Sequence, residues 1–119
     1  MEITRGDTTR ISFNIKKKDG NDYIMQDGDK LYFTMKKHCH CNDCSLQKTY
    51  ADGGITYNGN AEKKYTVLLK KEDTTPLDFG DYKFDIQIDW DNNGEIYTKT
   101  LYKGVITITE EITSKNNEG

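Results

Sequence analysis

A chain of 119 residues is long enough to bury one hydrophobic core and too short for two, so a single domain is expected over residues 1–113, followed by a fraying tail at 114–119. Charged residues make up 31% and hydrophobic residues 34%, a polar composition that stops short of that of disordered proteins. The 17 Lys and Arg are scattered among 20 Asp and Glu, giving a net charge of -3, and no basic block or long apolar run appears, which argues against nucleic acid and membrane as partners.

The N-terminal "MEITRGDTTR" carries charged and hydroxyl residues where a secretory signal needs an apolar run, so synthesis and folding in a cytosol are expected. From there the chain alternates with period two: Ile11-Phe13-Ile15, Leu31-Phe33-Met35, Tyr65-Val67-Leu69, Tyr82-Phe84-Ile86-Ile88-Trp90 and Ile106-Ile108. Asp19-Gly20, Asp27-Gly28, Asp52-Gly53-Gly54, Asn58-Gly59 and Asn93-Gly94 punctuate these runs with residues that tolerate positive φ and suit tight turns. The pattern predicts strands near 2–5, 9–17, 31–37, 45–50, 54–57, 63–70, 81–90, 95–101 and 104–112. Helical period is lacking except for one turn over Glu72-Asp73-Thr74-Thr75-Pro76, where Asp or Thr can cap and Pro76 forbids continuation. An all-β antiparallel sandwich follows.

The stretch Leu77-Asp78-Phe79-Gly80-Asp81-Tyr82 has the form of a tyrosine corner, in which a Tyr at the start of a strand bonds back to the preceding connection of a Greek-key sandwich. Tyr82 is that Tyr, Gly80 supplies the bend, Asp78 is expected to bond nearby backbone amides, and Leu77 to plug the end of the sandwich. Phe84 stands where antibody domains carry a Cys, so the two sheets would be joined by packing alone, as suits cytoplasmic folding.

Five strings in order, "TRGDTTRISFNI", "DGDKLYFTMKK", "LQKTYADGGITY", "KEDTTPLDFGDYKFDIQI" and "YKGVITITEEIT", resemble the small immunoglobulin-like domain of phage and prophage structural proteins. The likeness is to the N-terminal domain of baseplate upper proteins of phages of Gram-positive bacteria, and it runs from about Ile3 to Thr113. The resemblance implies a non-enzymatic virion component of tail, baseplate, neck or capsid that docks onto other phage structural proteins. Its location would be the host cytoplasm during synthesis, then the virion. A baseplate upper protein continues past this domain into receptor-facing or oligomerising segments, which leaves a stand-alone accessory role open here. The alternative, from a different class, is a small phage-encoded modulator that binds and inhibits a host protein.

Enzymatic chemistry has no carrier in the sequence: no Ser–His–Asp set, paired carboxylates on a recognisable loop or phosphate cradle can be assembled. The densest cluster of ligand-type residues is His38, Cys39, His40, Cys41 and Cys44, the candidate zinc ligands, with Cys41-x-x-Cys44 spaced for a knuckle. A zinc ribbon needs a second knuckle from a distant position, and the chain has no other Cys or His, so the expectation is no cofactor and no structural metal. Asp89, Asp91, Asn93 and Gly94 match the first half of a calcium loop, but Thr100 occupies the position of the closing Glu. A type I′ hairpin turn at Asn93-Gly94 explains the same residues. Arg5-Gly6-Asp7 is read as the opening of the first strand, and Trp90 as either a core-closing residue or an interface anchor.

Overall fold

The computed structural model describes residues 1–17, 20–26, 28–37, 46–58 and 64–110. The strands are β1 (Glu2–Thr4), β2 (Thr9–Phe13), β3 (Lys30–Lys36), β4 (Leu46–Thr49), β5 (Ile55–Asn58), β6 (Lys64–Leu69), β7 (Gly80–Asn92) and β8 (Glu95–Thr109), with one helical turn, α1 (Lys71–Thr74). They form a five-stranded sheet in the order β1-β8-β7-β3-β4 and a three-stranded sheet in the order β2-β6-β5. Successive hairpins alternate between the sheets: β3–β4 in the large one, β5–β6 in the small one, β7–β8 in the large one again. This is the Greek-key arrangement of an immunoglobulin-like β-sandwich. All ladders are antiparallel except β1, which runs parallel to β8 through Glu2↔Thr107 and Ile3↔Ile108.

Alternation places one face of each strand in the core. Leu31, Phe33 and Met35 of β3, Tyr65, Val67 and Leu69 of β6, Ile86 and Ile88 of β7, and Ile106 and Ile108 of β8 are all buried. Tyr65 has the strand's inward phase but also a polar end. Its ring stacks on Phe13 with centroids 5.8 Å apart, while its hydroxyl accepts the Met25 N–H at 3.0 Å and so pins the β2–β3 connection over the core. The α1 turn begins one residue before the expected stretch. Its cap is Asp73, whose carboxylate reaches back to the Lys70 N–H at 2.7 Å, and Lys48 of β4 closes an ion pair on the same carboxylate at 2.8 Å.

Two expected strand limits differ in an informative way. The strand expected over 9–17 ends at Phe13, although Ile15 remains buried, because the chain turns back on itself through an isolated bridge between Lys16 and Asp22. The strands expected at 95–101 and 104–112 are one continuous strand. Its register shifts opposite the Ile86–Gln87 step, where Thr100 pairs with Gln87 and Tyr102 with Ile86, leaving Leu101 as the extra residue of a bulge. The bulge reverses the phase of alternation, which in sequence imitates a strand break. Gly104 signals no turn either: a Cβ there would lie 3.0 Å from Cε1 of Phe84, its partner across the ladder, so glycine makes room for that ring.

The β7–β8 hairpin also sets the shape. At about 3.4 Å per residue, the 15 residues of β8 span nearly the whole 56 Å long axis. The radius of gyration is 16.1 Å, against about 13.5 Å for a compact domain of this length. Pairing of β7 with β3 stops at Asp89↔Lys30, so residues 90–97 project as a two-stranded arm.

Candidate functional site

The corner residues come together at the end of the sandwich where α1 leads into β7. Tyr82 is 2% exposed and its hydroxyl donates to the Asp78 carbonyl at 2.8 Å. Gly80 bends the chain with φ of 123°, a conformation side-chain-bearing residues rarely adopt, and Leu77, 8% exposed, seals the core beneath. Burial raises the Tyr82 pKa above its ordinary value, with the nearby Asp78 carboxylate adding to the effect. Asp78 departs from its expected role. It serves the corner through its backbone carbonyl, and its side chain faces the Lys37 ammonium at 3.6 Å instead of backbone amides. That carboxylate is solvent-exposed, so a surface cation is its natural partner. Lys37 also donates to the Phe79 carbonyl at 3.3 Å, tying the end of β3 to the corner.

The candidate zinc ligands His38, Cys39, His40, Cys41 and Cys44 lie outside the described residues, as does the tail at 114–119. Among the described residues no group of three or more His, Cys, Asp or Glu is placed to hold a metal ion. The calcium-like stretch is a hairpin tip: Asn93 and Gly94 have φ of 56° and 91°, the positive values a type I′ turn requires. Asp91 accepts the Gly94 N–H at 2.8 Å and Asp89 accepts the Thr98 hydroxyl at 2.6 Å, so both carboxylates serve the hairpin. Arg5-Gly6-Asp7 is a turn after β1, where the Gly6 N–H donates to the buried Thr74 hydroxyl at 2.9 Å and the Arg5 guanidinium sits 4.3 Å from the Phe79 ring centre. The tripeptide thus ties the first strand to α1 and the corner. Trp90 is half-buried, packed against the edge of the core, with the Tyr97 ring 5.6 Å away across the hairpin.

Among the described residues, an open depression of about 800 Å³ lies on the large sheet, lined by residues that include Tyr32, Lys36, Gln47, Asp85 and Lys103. Its lysines and amides sit on an open sheet surface, without a nucleophile placed beside a base.

Sequence patterning gave no warning of the outer edge of β8. The parallel pairing with β1 covers Thr107 to Thr109, and the N-terminal amine reaches the Val105 carbonyl at 3.4 Å. Between Glu95 and Gly104 the backbone of β8 has no partner strand on the side away from β7 among the described residues. This open stretch carries exposed apolar side chains: Ile96 at 65%, Tyr97 at 40% and Tyr102 at 44% exposure. An unpaired edge offers a row of N–H and C=O groups to an incoming strand, and aromatic and aliphatic side chains beside it add apolar contact area. Charge is divided along it, with Glu95 near the tip and Lys99 and Lys103 on the stem.

No protein-family model matches the sequence, and comparison with curated proteins finds no match. Among solved structures the chain is similar to AggA, the major subunit of aggregative adherence fimbriae type I from Escherichia coli, at 15% identity and a TM-score of 0.29, covering 92% of this chain and 88% of that one. At that TM-score the likeness carries no argument, and the fold stands on its own strand pairing.

Proposed function

We propose that this protein is a non-enzymatic structural or accessory component of a phage or prophage particle, in tail, baseplate, neck or capsid, acting by docking onto other phage structural proteins. The observation that carries the docking part is the open edge of β8 between Glu95 and Gly104 with its exposed Ile96, Tyr97 and Tyr102. Burial of such residues is a main source of association free energy, and an edge strand adds directional backbone hydrogen bonds to it. The phage assignment is supported by the ordered resemblance of the strings from Thr4 to Thr113 to the immunoglobulin-like domain of baseplate upper proteins.

Mass spectrometry of purified particles, produced by the bacterium that carries this reading frame, tests the reading. Recovery in a fixed ratio to the major tail or capsid protein is expected. Its exclusion from particles, with the protein remaining in the soluble lysate, would overturn the structural role and favour a modulator of a host protein.

A further inference from the structure

We infer that the partner taken by the distal part of the β8 edge is a second copy of this chain, paired antiparallel about a twofold axis at Tyr97. The proposal rests on the docking reading in using the same edge, and adds an occupant and a register.

Regular strand geometry is confined here to a short stretch. The Asn93-Gly94 turn limits it on one side and the Leu101 bulge on the other. A bulge interrupts ladder pairing, so an incoming strand has residues 95–100 to pair with. The antiparallel self-pairing centred on Tyr97 uses nearly all of this segment. It sets Tyr97 opposite Tyr97, Ile96 opposite Thr98 and Glu95 opposite Lys99 of the other copy.

Charge selects this register over its neighbours. Each Glu95 faces a Lys99, twice by symmetry, and no like charges stand opposite each other. Moving the axis to Lys99 would also pair Glu95 with Lys103, but it would place Lys99 against Lys99, a destabilising pair. Lysine on an edge strand ordinarily discourages pairing. Here it permits the arrangement that sets a carboxylate opposite Lys99 without placing lysine against lysine.

The rings add a second reason. Trp90 stands directly opposite Tyr97 in the β7–β8 ladder, with centroids 5.6 Å apart. Side chains at directly paired positions share one face, so the dyad would line up Trp90, Tyr97, Tyr97 and Trp90 across four adjacent strands. The Glu95–Lys99 pairs flank that row on the same face. The Tyr97 hydroxyl already donates to Glu95 at 3.1 Å, which holds the carboxylate beside the ring. The arm projects past the pairing of β7 with β3, so the second copy approaches an edge that the sandwich body does not obstruct. Fewer than ten residues pair per chain, which places the contact at the small, reversible end of specific interfaces.

Sedimentation equilibrium of the intact chain over a wide concentration range tests the pairing. The weight-average mass should rise from 13.7 kDa towards twice that value. Glu95→Lys and Lys99→Glu, both on exposed sites, should each weaken self-association by roughly tenfold or more. An equimolar mixture of the two variants should associate as the parent does, because each copy then supplies the charge its partner lacks. With Cys39, Cys41 and Cys44 replaced by Ser, Tyr97→Cys should form an intermolecular disulfide on mild oxidation far faster than Ile96→Cys. The reason is that only position 97 meets itself across the axis. A parent chain that stays monomeric at every concentration overturns the inference, as does a dimer indifferent to both reversals. Failure of the mixture to associate overturns the register. Each of these outcomes leaves particle incorporation, measured separately, to decide the docking reading.

Discussion

Removing one oxygen from the corner isolates its contribution. Tyr82→Phe keeps the ring in its buried site and keeps the Lys37 ammonium 5.9 Å from the ring centre, so no cavity is made and little packing is lost. What disappears is the 2.8 Å hydrogen bond to the Asp78 carbonyl, which is left at a part-buried position without that donor. Losing one partner of such a bond costs about 1–2 kcal/mol. Unfolding entropy of about 2.1 cal/mol/K per residue converts that into a fall in Tm of about 4–8 °C for a chain of this length. Urea denaturation followed by far-UV circular dichroism should show a lower midpoint at unchanged slope, since the exposed area is the same in both proteins. A Phe variant as stable as the parent would show that the bond from Tyr82 to Asp78 does not hold the α1–β7 connection, and would refute the corner as a stabilising element.

The remaining expectations concern other parts of the fold. Gly104→Ala should destabilise by about 1 kcal/mol while Phe84 is present and by less beside Phe84→Leu, because the added methyl meets the ring at 3.0 Å; a double-mutant cycle from denaturant midpoints reads the coupling, and additive effects would refute the close-approach argument. Burial alone would raise the Asp73 pKa, but the hydrogen bonds from Lys48 and the Lys70 N–H outweigh it and hold the carboxyl below the ordinary carboxylate value. A depressed folded-state pKa gives stability that is present above the unfolded value and lost as pH falls through the folded one. Asp73→Asn should therefore cost about 2 kcal/mol at pH 7 and flatten the acid limb of a stability-against-pH curve, while an unchanged limb would show the ion pair to be idle. Tyr23 runs the other way: burial, then its hydrogen bond to Asp29, lifts its pKa from 10.0 to about 12, so its contribution is full below pH 10 and lost as pH rises through the folded value. Tyr23→Phe should lessen the loss of Tm between pH 10 and 12. Replacing Cys39, Cys41 and Cys44 together by Ser should leave Tm nearly unchanged, since the β3–β4 register from Tyr32↔Thr49 to Met35↔Leu46 is set by strand pairing. One zinc per chain in native mass spectrometry, lost to chelator together with several degrees of Tm, would reverse that expectation.

The readings that succeeded from sequence rest on local physics. Inward alternation at Leu31-Phe33-Met35 and Tyr65-Val67-Leu69 is a property of consecutive residues, and burial follows it. Asn93-Gly94 specifies its turn because few other pairs take positive φ at both positions. The link from Asp78 to Tyr82 spans four residues, so sequence spacing alone could bring donor and acceptor together. Each feature that escaped notice depends on an element distant in the chain. Gly104 resembles a turn until Phe84 is known to lie opposite it, and the bulge at Leu101 looks like a strand end until β7 supplies one continuous partner. Glu95 to Gly104 reads as an ordinary half-polar strand. Its exposure arises because β1 is too short to cover more than the far end of β8, a fact of topology that no window along β8 contains. Exposed strand edges on sandwiches are therefore harder to read than cores: a core residue is marked by its own hydrophobicity and phase, whereas Ile96 and Tyr97 become unusual only once it is known that no described strand pairs with that side of β8.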